Sequence, residues 1–270
     1  MPRSWPAATV VSLLLGACKV QDFAWQDEAP PRLSAYKQAF HQQAGDRWNG
    51  EVGWAEFLAA VARTRILWLG DDHRDAQLHA LQLDLLQRLH AAGLPLALGL
   101  EAIGEQDQPV VDDYLRGSSD QQHLRTAIRW RWPGSWLDDP EVDHTSYRRL
   151  LTMARDRGWP LFALEPTPRL RLGIRDAAIA GNVRAAAARH HDRLLVVVIG
   201  QAHLLGAGDL LHRCGLPGIA IGATPSPQLQ AVATECAATT PFRRSSGGLL
   251  FFTAAAAISP RPAAARAAAP

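Results

Sequence analysis

Two rhythms of apolar residues alternate along this chain. Short unbroken runs, bulky or β-branched and bounded by polar residues, occur at Ile66–Leu69, Pro95–Leu100, Pro160–Leu164, Arg193–Ile199 and Gly218–Ile221. They read as buried strands. Between them apolar residues recur at helical spacing. Trp54, Phe57, Leu58 and Val61 form one stripe, and Leu78, Leu81, Leu85 and Leu89 form another that Gly93 stops. Further helices are predicted over 106–115, from Asp120 to Arg131, over 145–157, through the stretch that ends near His190, and over 205–213, with Gly117 and Gly158 as C-terminal stops. None of the strands alternates apolar with polar, so both faces of their sheet are covered. The fold class is therefore α/β, a mainly parallel sheet with helices on both faces. Residues 228–235 and 249–253 are expected to add strands, with antiparallel pairing at an edge.

These rhythms fill residues 54–253, which read as a single domain. Residues 18–53 are polar, contain Pro30-Pro31, and read as a linker. Residues 254–270 are alanine and proline without pattern and are expected to be disordered.

How the strands end changes the picture. The first runs into Gly70-Asp71-Asp72-His73, the second into Glu101, the third into Glu165 and the fourth into Gly200-Gln201-Ala202-His203. Parallel strands point the same way, so these residues collect at one sheet edge, where open α/β folds place their ligands. Two imidazoles with several carboxylates suit acid/base chemistry or a divalent metal. One such residue alone would as readily cap a helix, a role that suits Asp72, but four endings together favour a shared site. The chain has no GxGxxG after a strand, no P-loop, no GxSxG elbow and no HExxH. His190, His191 and His212 fall at helix ends and read as solvated.

Composition narrows the partners. Of 270 residues 47% are hydrophobic and 20% charged, and 28 basic against 26 acidic side chains leave a net charge of +2. No arginine stripe alternates with stacking aromatics, so nucleic acid is not an expected partner. The nine tryptophans concentrate in part at Trp130, Trp132 and Trp136. Residues 1–17 carry a short positive region and an apolar stretch too short for a membrane span, and they read as a signal peptide. The run Leu14-Leu15-Gly16-Ala17-Cys18 resembles a bacterial lipobox. Lipidation at Cys18, by palmitate-type acyl chains, would anchor the protein to the cell envelope rather than thread it through a membrane. Cys214 and Cys236 are then the remaining thiols, free to pair or to stay reduced.

Gly70-Asp71-Asp72-His73, then His79 and Gln82, Gly99-Leu100-Glu101, Gln108, Tyr114-Leu115, Trp132-Pro133, Trp136, Tyr147, Glu165 and Gly200-Gln201-Ala202-His203 together resemble the ChaN-like family of haem-binding lipoproteins, in a superfamily with the Tiki/TraB proteins and erythromycin esterases. The resemblance runs from about residue 62 to 222. Three positions depart from the family pattern: Asp71 stands where Glu is usual, Ala202 where Gly is usual, and Glu165 where Asn is usual. The resemblance implies a haem cofactor, a role in haem or iron uptake, a lipid anchor on the outer membrane or the periplasmic face of a membrane, and room for a homodimer. It implies a tyrosinate axial ligand, with Tyr147 the first candidate and Tyr114 the second, a wall from Trp132 and Trp136, and Arg131, Arg148 or Arg149 for the propionates. The alternative is a hydrolase of esterase or metal-dependent peptidase type. There His73 or Glu101 is the general base, Glu165 and His203 orient substrate, and His73, Glu101 and His203 are the candidate metal ligands. A non-catalytic scaffold with a vestigial site is a third reading.

Overall fold

The computed structural model describes residues 30–128, 136–168, 170–233 and 240–253. In chain order the elements are α1 (Pro30–Ala44), β1 (Trp48–Val52), α2 (Trp54–Val61), β2 (Ile66–Asp71), α3 (Ala76–Ala91), β3 (Leu96–Gly104), α4 (Gln108–Leu115), α5 (Gln121–Ile128), α6 (His144–Asp156), β4 (Leu161–Glu165), α7 (Ile174–Arg189), β5 (Leu194–Gly200), α8 (Leu210–Cys214), β6 (Gly218–Gly222), α9 (Pro227–Ala233), β7 (Phe242–Ser245) and β8 (Leu250–Phe252). The strands form one sheet in the order β1-β7-β8-β6-β2-β5-β3-β4. Every pair from β8 to β4 is parallel, and the β1–β7 and β7–β8 pairs are antiparallel.

Alternation along β2 shows why the strand reads as uniformly apolar. Leu67 and Leu69 enter one core with residues of α2, α3, α4 and α6, whereas Ile66 and Trp68 enter a second core with Phe40 of α1 and residues of α7 and α8. Successive side chains point to opposite faces, and both faces are buried. Each large side chain buried this way contributes on the order of 1.5–3 kcal/mol before entropy is counted.

Register positions the site. Gly70 and Asp71 of β2 lie beside Ile199 and Gly200 of β5, and Leu100 of β3 lies beside Val198. The polar endings therefore stand nearly level. A register shift between β3 and β4 after Leu100 carries Gly104 opposite Glu165.

Two expectations need correction. Residues 30–52 are part of the fold and not a linker: Tyr36, Phe40 and Ala44, four apart, are buried, and β1 pairs with β7. The segment looks polar because only this narrow stripe faces inward. Close docking makes up for its few apolar residues. Gly206 has φ +67°, and a side-chain carbon there would stand 2.6 Å from the Ala39 backbone, so only glycine lets α1 sit this near. Residues 228–235 begin as helix α9 where a strand was expected. Pro227 sits at the first helical position, and Ser226 Oγ accepts the Leu229 N–H at 3.4 Å. The strand expected at 249–253 is β8, which pairs antiparallel with β7 and parallel with β6, and β1 completes the antiparallel edge.

Cys18, Trp130, Trp132, Cys236 and the 254–270 tail lie outside the described residues. Cys214 is buried in α8, and burial raises its thiol pKa to about 11. No helix among the described residues is long and apolar enough to cross a membrane.

Candidate functional site

Asp71, at the end of β2, is the hub of the first of two buried networks. Its Oδ2 contacts His73 Nδ1 at 2.9 Å and accepts a hydrogen bond from the Tyr147 hydroxyl, while its Oδ1 meets His79 Nε2 at 2.6 Å. His79 lies one turn into α3, and its other nitrogen meets Asp143 Oδ2 at 2.9 Å. With a carboxylate on each nitrogen, both must donate, which is the hydrogen-bonding pattern of an imidazolium. Burial opposes that charge, but Asp71 and Asp143 outweigh it and raise the pKa. Burial likewise opposes ionisation of Asp71, yet its bonds to His73 and His79 hold its carboxyl well below the usual range. Asp143 caps α6, accepting from the Ser146 hydroxyl at 2.6 Å, and its own N–H donates to the His73 carbonyl at 2.7 Å. His73 is thus held at its backbone carbonyl and at one nitrogen of its ring. Its Nδ1 is tied to Asp71, whereas its Nε2 has no hydrogen-bond partner among the described residues. Burial lowers the pKa of His73, and the bond to Asp71 more than reverses this, so the net direction is upward.

Arg175, in the first turn of α7, organises the second network. Its guanidinium donates to both oxygens of Glu165, to Glu101 Oε1 at 2.5 Å, and to His203 Nε2 at 3.3 Å. Arginine has only N–H groups to offer, so His203 accepts there through Nε2 and donates through Nδ1 to Asp176 Oδ1. Tyr36 of α1 donates its hydroxyl to Asp176 Oδ2, and the Gly200 N–H donates to Glu101 Oε2 at 2.7 Å. Burial raises the cost of charge on Glu101, but Arg175 brings its pKa down. Arg175 itself is pushed up by Glu165 and Glu101 against the effect of burial.

The two networks meet at Gly200. A side-chain carbon there would lie 3.4 Å from Glu101 Oε2, 3.5 Å from His203 Cδ2 and 3.6 Å from His73 Cε1. Above them opens a cavity of about 850 Å³, lined by residues of α1, the 71–74 loop, Trp136 to Val142, Leu172, Arg175 and Gly200 to His203. The Trp136 ring lies 4.3 Å from that of His73.

Four expected strand-end residues, His73, Glu101, Glu165 and His203, therefore converge. The assignment of His73, Glu101 and His203 as metal ligands is not supported. Among the described residues no group of three or more His, Cys, Asp or Glu is placed to hold a metal. The physical reason is Arg175, which already fills the space between Glu101, Glu165 and His203. Tyr147 is at the site but 2% exposed. Burial and then Asp71 push its pKa well above normal, and its hydroxyl is bonded to Asp71. Tyr114 is buried and does not line the cavity; Arg155 packs 5.0 Å from its ring centre. Arg148 turns to Leu137 O and Asp138, and Arg149 lines a separate groove between α3 and α6. Asp72 does not cap α3; Asp75 does, accepting the Leu78 N–H at 2.9 Å.

Sequence reading missed Tyr36, Asp143, Arg175 and Asp176. Asp143, three residues before Ser146 at a helix start, carried a capping signal. A lone arginine such as Arg175 carries none, because in a sequence it is indistinguishable from a solvated one.

The sequence model described as "Haem-binding uptake, Tiki superfamily, ChaN" matches residues 57–171. A comparison with curated proteins gives no match. Among solved structures, the chain is similar to ChaN of Campylobacter jejuni with cofacial haem bound, at 10% identity and TM-score 0.48, over 68% of this chain and 88% of that one. It is similar to the type III effector HopBA1 at 14% identity and TM-score 0.49, over 73% and 90%. It is also similar to the C-terminal region of Pasteurella multocida toxin, which has a thiol-protease-like catalytic triad, at 13% identity and TM-score 0.46, over 78% of this chain but 29% of that one.

Proposed function

With residues 57–171 matching the ChaN haem-binding uptake family, we propose that the strand-end cavity binds haem and that His73 supplies the axial ligand. One observation carries this reading: His73 lines the cavity with an Nε2 that has no partner among the described residues, while Asp71 holds its Nδ1. Histidines that ligate metals commonly donate their second nitrogen to a carboxylate in this way. The surroundings fit the group. The volume lies within the range of ligand pockets, and Phe40, Trp136, Val142 and Leu172 give an apolar lining. When bound, haem supplies an iron that accepts the imidazole lone pair. The chain's part is to aim His73, to keep Asp71 ionised through His79, and to exclude water with Trp136.

Adding haem to the purified full-length protein in detergent is expected to shift the Soret band at micromolar haem. His73→Ala removes that shift, and Tyr147→Phe keeps it. Loss of the shift in Tyr147→Phe with retention in His73→Ala would return the ligand role to the tyrosine. The His73–Asp71 pair also has the geometry of a general base acting on water, with the bond to Asp71 raising the imidazole pKa. If haem gives no shift in the wild type, ester turnover that His73→Ala abolishes would assign the pair to hydrolysis.

In the same reading residues 1–17 are a signal peptide and Cys18 carries the acyl anchor that holds the site at the cell envelope, where it would serve haem or iron uptake. The lipobox-like run before Cys18 supports this. Cys18→Ser is expected to move the protein from the membrane fraction to the soluble one. Retention of the variant in the membrane fraction would overturn the anchor.

A further inference from the structure

Helix α1 precedes the family-matched segment, yet Leu33, Tyr36, Lys37, Phe40 and His41 line the cavity. The helix is firmly seated. Phe40 and Ala44 are buried, Gln43 Oε1 accepts the Gly206 N–H at 2.6 Å, and Tyr36 is bonded to Asp176. It forms one wall of the cavity.

Lysine and arginine around the cavity can be accounted for one by one. Arg175 is spent on Glu101, Glu165 and His203. Arg74 pairs with Glu141 at 3.0 Å. Lys37 alone has neither ion pair nor hydrogen bond among the described residues, though it is near enough to His41 to help burial lower that imidazole's pKa. The rim formed by the 71–74 loop and residues 139–142 carries Asp72, Asp139 and Glu141, which repel an anion. A ligand with an apolar body and a carboxylate would thus turn its carboxylate toward α1.

We propose that Lys37 receives an anionic group of the ligand held at His73, which makes α1 the specificity wall of the cavity. The inference rests on the haem reading, in which the anionic groups are the propionates.

Haem and haem dimethyl ester, whose propionates carry no charge, separate the possibilities. Lys37 is exposed, so Lys37→Glu is expected to melt like the wild type. Its affinity for haem should fall about tenfold, from a lost charge-assisted contact and a new repulsion, while affinity for the ester is unchanged. Added salt should weaken haem binding to the wild type and leave the ester unaffected. Equal affinity of the two proteins for haem would overturn the proposal. So would an equal loss for both ligands, which would mean a structural role for Lys37. Failure of the wild type to bind either compound would instead remove the haem reading, and this inference with it.

Discussion

Arg175→Met is expected to be the most damaging single change in this protein, lowering stability at neutral pH by about 3–5 kcal/mol. Arg175 is 2% exposed and lies between Glu101 at 4% and Glu165 at 0%. Methionine replaces its length but not its charge or its N–H groups. Two buried carboxylates would then face each other without a cation, and His203 would lose a donor. The pH dependence follows from the direction of the Glu101 shift. Its folded pKa is depressed, so the stabilisation it provides is complete above its unfolded value, near 4.3. That stabilisation is lost as pH falls through the folded value. The variant lacks this contribution, so the gap between variant and wild type should narrow as pH drops below about 4. Urea denaturation at pH 7 and at about pH 3, between the folded and unfolded values of Glu101, measures both quantities. A gap below about 1 kcal/mol at pH 7, or one that widens in acid, contradicts the assignment of Arg175 as the cation of the site.

Asp71→Asn comes second, with an expected loss of about 3 kcal/mol. The substitution keeps the shape of the side chain, but an amide has one acceptor oxygen where the carboxylate has two. In the wild type Oδ1 serves His79, and Oδ2 serves both His73 and Tyr147. Asparagine cannot satisfy all three, and its NH2 would meet a donor. The buried imidazolium of His79 would be left with Asp143 as its sole carboxylate partner. His73 would lose the charge that fixes its orientation, so haem binding should weaken along with stability. Comparison of Asp71→Asn with His73→Ala separates the two effects, because His73 is at the cavity surface and its removal leaves the Asp71–His79–Asp143 chain intact. Equal destabilisation by the two substitutions would show that Asp71 acts through His73 alone.

Much of the architecture was legible because burial on both faces leaves a simple mark. Runs such as Leu194–Ile199 cannot lie on a surface, and helical stripes between them require crossover connections. The elements misread were those in which packing outweighed pattern. Helix α1 buries only a narrow stripe, and it depends on glycines more than 160 residues downstream to approach the sheet. The segment 227–233 was read by its apolar content, whereas its proline and its serine cap decided for a helix.

The site divides in the same way. His73, Glu101, Glu165 and His203 could be placed at one edge from the sequence alone, because strand direction in a parallel sheet assigns every strand end to the same side. Which of them stay available for a ligand could not. That depends on Arg175 and Asp176 from α7, Asp143 from the start of α6 and Tyr36 from α1, all far from the strand ends in sequence. They are brought to them only by tertiary packing. Arg175 turns an acid cluster that would suit a metal into a neutralised, hydrogen-bonded floor. The Asp143–His79–Asp71 chain fixes Nδ1 of His73 and leaves its Nε2 without a partner among the described residues. Local sequence thus determined where the chemistry gathers, because strand polarity is a property of the chain's pattern. The tertiary structure decided which groups remain free, because hydrogen-bond saturation of a buried charge depends on every element packed around it.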